Sequence, residues 1–196
     1  MQAIILAAGL SRRMQRQKLT LPFAGSTILE TVVRNVVSVP FDEVILVTSR
    51  ETREQIEISA EAVKVVINEN PAEGQSSSLR LGVMHLLPGE DFCVLLGDMP
   101  FVTTGEIAEY RSIFEGRNAP FSVLVSCRDL RFGHPIFFSS VWKDRLLFTE
   151  GDIGGRRMLE KFPEEVLRVY GEDSFFVDID TPEDYSKMTQ FQRERL

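Results

Sequence analysis

The sequence predicts an α/β fold: a mainly parallel sheet flanked by helices, with some antiparallel additions in the C-terminal half. Three observations predict it. Apolar runs of strand length alternate with helical periodicities from Ala3 to Ser126. The connections between them are short, which favours βαβ units with right-handed crossovers. Beyond Ser126 the alternation is less regular, which admits antiparallel strands.

Taken in order, Ala3–Ala7 reads as a strand that stops at a Gly-containing turn. Ser26 offers an N-cap, Ile28, Leu29, Val32, Val33, Val36 and Val37 recur at helical spacing, and Pro40 stops that helix. Glu43–Thr48 is a strand, Thr52–Ala60 a short polar helix and Val63–Ile67 a strand. Gln75–Leu87 carries Leu79, Val83, Leu86 and Leu87 on one helical face and ends at Pro88-Gly89. Phe92–Leu96 is a buried strand, and Thr103 or Thr104 caps a helix that runs through Phe114 and ends at Gly116. Phe121–Ser126, Arg131–Phe138, Val166–Val169 and Phe175–Ile179 read as strands, Gly154–Lys161 and Thr181–Arg193 as helices. No repeat, low-complexity tract or linker divides the chain, so residues 1–196 are read as a single domain.

Composition narrows the function. Hydrophobic residues make up 43% and charged residues 26% of 196, ordinary values for a globular protein with a substantial core. The net charge of -7, with no Lys/Arg tract, argues against a nucleic-acid partner bound through a broad basic surface. No apolar run approaches the roughly 20 residues of a membrane span, and the first residues lack the pattern of a signal peptide. The expected location is the reducing cytoplasm. Cys93 and Cys127, each in an apolar run, read as core or near-core thiols.

The most informative stretch follows the first strand. Gly9 allows close approach of a ligand to the backbone, Ser11 adds a hydroxyl, and Arg12, Arg13, Arg16 and Lys18 supply cations. At the carboxyl end of a strand in an open α/β sheet, this suits a polyphosphate. The loop is neither a P-loop, since no second Gly precedes Lys18, nor a G-x-G-x-x-G dinucleotide loop.

Two acidic elements complement these cations. Phe92–Leu96 ends in Gly97-Asp98-Met99-Pro100, placing Asp98 on the same sheet edge as the basic loop. A carboxylate there suits Mg²⁺, which prefers hard oxygens and often takes only one or two carboxylates plus substrate phosphates; an Asx turn with Pro100 is the structural alternative. In Asp178-Ile179-Asp180-Thr181-Pro182, a strand would point Asp178 and Asp180 to one face, where a cation relieves their repulsion. Alternatively, Asp180 caps the last helix, with Pro182 near its first position.

Three further segments carry candidate groups. Gly74-Gln75-Ser76-Ser77-Ser78 leads into a helix whose serines and free N–H groups can contact a base, ribose or phosphate, or serve as an ordinary cap. His134 lies in a Gly133-His134-Pro135 turn, and Gly151–Arg156 reads as a helix N-terminus with Asp152 as cap. His85 has no context and receives no role.

Residues Leu6, Ala7, Ala8, Gly9, Ser11, Arg13, Met14 and Lys18 resemble the L-A-A-G-x-S-x-R-M-G-x-x-K signature of the molybdenum cofactor nucleotidyltransferases, in the MobA-like NTP transferase superfamily. Gln15 stands where that family usually has Gly. The resemblance extends to G-D-x-P at Gly97–Pro100 after Leu96, to the Ser77-Ser78 turn, to G-H-P at Gly133–Pro135, to G-D-x-G-x-R at Gly151–Arg156 and to D-I-D-T-P at Asp178–Pro182.

It implies a Rossmann-like, nucleotide-diphospho-sugar transferase-like fold and nucleotidyl transfer from an NTP to a phosphorylated acceptor, with pyrophosphate leaving. Leu6, Ala7, Ala8, Gly9, Ser11, Arg13, Lys18, Ser77 and Ser78 are then nucleotide-binding, and Arg13, Lys18 and Asp98 catalytic. Mg²⁺ falls to Asp98 and Asp180, with Asp178 next, and His134 to the acceptor. The L-A-A-G form is similar to the cytidylyl branch. It implies CTP as nucleotide, molybdopterin as acceptor and a transient molybdoenzyme partner. A guanylyltransferase, a nucleotidyltransferase for another small phosphate, and a non-catalytic maturation factor are the other readings.

Overall fold

In the computed structural model, which describes residues 1–14, 16–59, 61–129, 131–148 and 156–193, β1 (Gln2–Ala7) is an interior strand of the main sheet. A loop with two short 3₁₀ turns, Arg12–Met14 and Lys18–Thr20, leads to a small hairpin of β2 (Pro22–Phe23) and β3 (Ser26–Thr27). There follow α1 (Ile28–Val37), β4 (Val44–Thr48), α2 (Arg50–Glu54), β5 (Lys64–Ile67), α3 (Gln75–Met84) and β6 (Phe92–Leu96). The second half holds α4 (Thr104–Glu115), β7 (Val123–Arg128), β8 (Arg131–Phe138), α5 (Trp142–Leu147), α6 (Arg156–Lys161), β9 (Val166–Tyr170) and α7 (Pro182–Arg193).

Seven strands form one sheet in the order β5-β4-β1-β6-β8-β7-β9. Strand β1 lies parallel to both β4 and β6, β5 is parallel to β4, and β9 is parallel to β7. Among the described strands of this sheet only β8 runs against its neighbours, antiparallel to β6 and β7. The expected antiparallel addition in the C-terminal half is therefore this one strand.

Period-two alternation divides the core between two faces. Ala3, Ile5 and Ala7 of β1, with Leu46 and Leu95, pack against α1 and α4. Ile4 and Leu6, with Ile45, Val47 and Val94, pack against α3, α5 and α6. The result is a three-layer sandwich with β1 buried on both sides, which explains why it reads as an unbroken apolar run.

Several boundaries differ from expectation for identifiable reasons. Thr27, not Ser26, caps α1: Thr27 Oγ1 accepts from Glu30 N at 3.2 Å, and the Glu30 carboxylate accepts from Thr27 N at 2.9 Å. Ser26 instead donates its hydroxyl to the same carboxylate. Thr103 closes an equivalent box with Glu106 at α4. Helix α2 starts earlier than Thr52, because Ser49 Oγ accepts from Thr52 N, and it ends by Gln55.

Residues Phe175–Ile179 do not form a strand. Asp173–Phe176 is a 3₁₀ turn that seats Phe175 against Tyr110, with ring centroids 4.6 Å apart. Val177 beyond it is extended, and residues 177–180 belong to no strand. Helix α5 escaped the sequence pattern because it is short, although Trp142 and Leu146, one helical turn apart, are both fully buried.

Helix α3 crosses the central strands closely. A Cβ built at Gly82 would stand 2.7 Å from Ile4 Cγ2 and 3.2 Å from Val47 Cγ2, both on fully buried side chains. Gly82→Ala gains up to about 1 kcal/mol of helix propensity and meets an overpacking cost of about 1–3 kcal/mol. The rigid β-branched neighbours decide the sign. Urea unfolding of Gly82→Ala should show a lower midpoint at unchanged slope, and an equal or higher midpoint would mean that α3 rides further from β1.

Candidate active site

From β1 the chain builds β4 and β5 on one side, then returns to place β6 on the other. The strand order therefore reverses between β1 and β6, and open α/β sheets bind ligands at the carboxyl ends of strands at such a point. The loop after β1 and the turn after β6 both begin there. Gly97 N donates to Leu6 O at 2.9 Å, extending the β1–β6 ladder by one step. A Cβ at Gly97 would meet Ala7 Cβ and Leu29 Cδ1 at 3.0 Å each, so a glycine is what lets the turn pack this closely and project Asp98 from the sheet edge.

The loop after β1 folds back on itself. Ser11, at a positive φ of 47°, donates its hydroxyl to Gln17 Oε1 at 2.8 Å and accepts from Lys18 N at 3.1 Å. These bonds fix the Lys18 backbone. Its side chain, only 10% exposed, donates from Nζ to Asp98 Oδ2 at 2.5 Å and to Asp180 Oδ1 at 2.6 Å. The exposed Arg13 guanidinium takes the other Asp180 oxygen at 2.7 Å. Burial works against the Lys18 charge, but the two carboxylates outweigh it and hold the ammonium above its usual range.

Residues 178–180 reach this point without being a strand. Ile179 is buried and its N donates to Asp98 O at 3.3 Å, pinning the segment beside the β6 turn. Helix α7 is capped by Thr181, whose Oγ1 accepts from Asp184 N while the Asp184 carboxylate accepts from Thr181 N. Asp180 is thus not occupied as the cap. Asp98, Asp178 and Asp180 each offer one oxygen, all within 4.8 Å of one another. Three hard oxygen donors from two converging segments fit a divalent cation of the Mg²⁺ or Mn²⁺ type. Loss of surrounding water, then the neighbouring Asp98 and Asp180, pushes the Asp178 carboxyl up from its ordinary value.

These groups wall a cleft of about 460 Å³. Leu6, Ala7, Ala8 and Gly9 line it from the sheet edge, and Gly74, Gln75 and Ser78 from the start of α3. A Cβ at Gly9 would meet nothing within 4 Å, so the backbone there borders open space. A second cleft of about 690 Å³, bounded by Phe101, Glu106, Ser174 and Lys187, shares Asp178 with the first. No local pattern announces it, because its walls come from three separate segments.

Ser77 and Ser78 part company. Both hydroxyls accept from Asn68 Nδ2 at 2.9 Å, but Ser77 also donates to Gly74 O at 2.8 Å, and only Ser78 lines the cleft. Asn68 is the residue that sequence reading missed, and its signal was a buried amide immediately after β5. His134 lines neither cleft. It faces Val32, Val36, Leu95 and Met99 across an apolar space of about 10 Å³, and burial pushes its imidazole down to about 4. An acceptor contact by His134 has no support in this geometry. Gln15 and residues 151–155 lie outside the described residues, as does the side chain of Arg156.

The model of the MobA-like NTP transferase domain matches residues 3–166. The chain belongs to that family. This MobA-like transferase is 30% identical over 185 residues to the molybdenum cofactor cytidylyltransferase of Escherichia coli, spanning 93% of this chain and 92% of the relative. It is 28% identical over 194 residues to the purine catabolism protein PucB of Bacillus subtilis, with the same coverage of 93% and 92%. Among solved structures, a nucleotidyl transferase from Methanothermobacter superimposes with a TM-score of 0.80 at 25% identity, covering 98% of each chain. The chain is therefore a nucleotidyltransferase with the nucleotide-diphospho-sugar transferase fold. No helix among the described residues is long and apolar enough to cross a membrane.

The raised Asp178 carboxyl has a consequence for stability. The folded chain holds that proton more tightly than the unfolded chain, so its contribution is favourable below the unfolded value of 3.8 and lost as pH rises through the folded one. Asp178→Asn should therefore melt higher than wild type at pH 7 in metal-free buffer, with the difference vanishing towards about pH 3. A lower melting temperature at pH 7 would show that the Asp178 charge is compensated.

Proposed function

We propose that this nucleotidyltransferase transfers CMP from CTP to the phosphate of molybdopterin, with Mg²⁺, releasing pyrophosphate. One observation carries the reading: Lys18 and Arg13 meet the carboxylates of Asp98 and Asp180, with Asp178 beside them, on the wall of a single cleft at the strand-order switch point. Cations for a triphosphate and oxygens for a divalent ion are what phosphate-anhydride chemistry requires in one place.

The open space at Gly9 lets the β1 loop approach the phosphates with its backbone. Ser11 keeps that loop closed on Lys18. Lys18 and Arg13 neutralise the β- and γ-phosphates and stabilise the departing pyrophosphate. Gly74, Gln75 and Ser78, at the start of α3, face the base and ribose. Asp98, Asp180 and Asp178 would hold the Mg²⁺, which would neutralise phosphate charge and polarise the transferred phosphorus. The acceptor phosphate is already an anion at neutral pH, so it needs no base. Among the described residues that line the cleft there is no Cys or His.

The choice of CTP and molybdopterin rests on the Leu6-Ala7-Ala8-Gly9 form and on the cytidylyltransferase name of the relative. Thermal unfolding with CTP, GTP, UTP and ATP, each with Mg²⁺, tests it. A nucleotide at 100 times its Kd adds about 2.7 kcal/mol of stability. CTP should give this shift, and Asp98→Ala should weaken it while leaving the circular dichroism unchanged. Pyrophosphate release with CTP and molybdopterin should fall about 100-fold or more in Asp98→Ala and in Lys18→Ala. A shift confined to GTP would move the reading to a guanylyltransferase, and near-wild-type release by either variant would overturn the site.

A further inference from the structure

Lys18 stands where a cation belongs. Its Nζ lies 2.5 Å from Asp98 Oδ2 and 2.6 Å from Asp180 Oδ1, and Asp178 offers an oxygen within 4.8 Å of the same group. Carboxylates this close repel one another unless a positive charge lies among them. Arg13 occupies the remaining Asp180 oxygen, so both oxygens of that carboxylate are taken. A divalent ion that uses Asp98 and Asp180 must therefore compete with an ammonium already bound there.

The competition is confined to one side chain. Ser11 holds the Lys18 backbone, and Gln17 caps the 3₁₀ turn that Lys18 begins. The ammonium, by contrast, is a compact charge at the end of four flexible carbons. It can leave the carboxylates without any movement of the loop.

We propose that Lys18 is a placeholder for the metal: it holds Asp98 and Asp180 together in the metal-free chain, yields its position to the divalent ion, and only then turns to the nucleotide phosphates. The inference rests on the metal-dependent nucleotidyl transfer proposed above. It makes Lys18 a positioning residue for the carboxylates as well as a phosphate ligand. It also couples the two ligands. Metal without phosphate expels an ammonium that has no new partner, whereas metal and triphosphate together satisfy both halves of the exchange. By linkage, each then tightens the binding of the other.

Mn²⁺ alone is the probe, with free ion followed by electron paramagnetic resonance in the absence of nucleotide. Lys18→Met should bind Mn²⁺ at least about fivefold more tightly than wild type, whereas Lys18→Arg, which keeps a cation in place, should stay near the wild-type affinity. Lys18→Met without metal should also melt below wild type and regain more of its melting temperature on addition of Mn²⁺. An affinity in Lys18→Met equal to or weaker than wild type overturns the proposal.

Should Lys18→Met fail to fold, the wild-type chain carries the test: acetylation of Lys18 by acetic anhydride, read by mass spectrometry, should rise when Mn²⁺ is added. Unchanged labelling with Mn²⁺ bound overturns the exchange. Pyrophosphate release by the wild type separates the two readings. Release with a failed Mn²⁺ pattern removes only the placeholder, whereas no release with any nucleotide removes the transfer reaction itself.

Discussion

One ion-pair cluster ties together segments that the fold brings in from far apart in sequence. Lys18 reaches Asp98 across 80 residues and Asp180 across 162. It joins the loop after β1, the turn after β6 and the segment before α7. Lys18 and Asp98 are 10% and 16% exposed, so the pair has lost most of its water. At an effective dielectric of 20, unit charges 4 Å apart attract by about 4 kcal/mol, and desolvation offsets much of that. The cluster therefore contributes less to net stability than to geometry. With one partner missing, a half-buried charge would be left uncompensated, and that penalty holds the three segments in register.

The sheet makes the cluster possible by setting where Asp98 stands. Gly97 continues the ladder to Leu6, and the space for a Cβ is already filled by Ala7 and Leu29. Any larger residue would push the β6 turn away from β1, and Asp98 with it. Ile179 does the corresponding work for the third segment, burying its side chain and donating to Asp98 O. Backbone contacts thus position two of the carboxylate-bearing segments directly against each other. Asp178 and Asp180 flank the anchored Ile179 and bring their oxygens to one point while Ile179 is buried. They reach the site by the period-two alternation of a strand, without belonging to one.

This explains what could be read from the sequence and what could not. The central strands, α1, α3 and α4 were legible because their apolar periodicity reports burial directly. The three acids, Asp98 after β6 and Asp178 and Asp180 before α7, and the cations of the β1 loop, were legible as chemical types. Their mutual pairing was not, since cations were assigned to phosphates and acids to a metal, and nothing local says that they touch. Phe175–Ile179 misled for a related reason. Burial of Phe175 against Tyr110 and of Ile179 beneath the site produces strand-like alternation without a neighbouring strand. His134 was legible as a held residue between Gly and Pro, but not its surroundings: β8 carries it into an apolar space beside α1.

Charge accounting over the cluster shows what such a site is built to receive. Three carboxylates and two cations gather there: with no ligand present Lys18 pairs with Asp98 and Asp180 and Arg13 with Asp180, while Asp178 stands beside them as a further negative charge. A free divalent ion can satisfy the acids only by freeing the cations. A free triphosphate can draw off the cations only by exposing the acids to one another. Either ligand alone therefore breaks pairs it cannot replace, and the repulsion it unmasks opposes its binding. A metal–nucleotide complex carries both signs in one body and replaces both sets of pairs at once. The electrostatic complement of this cleft is therefore that complex, and the ion pairs of the ligand-free chain discriminate against either of its components taken singly.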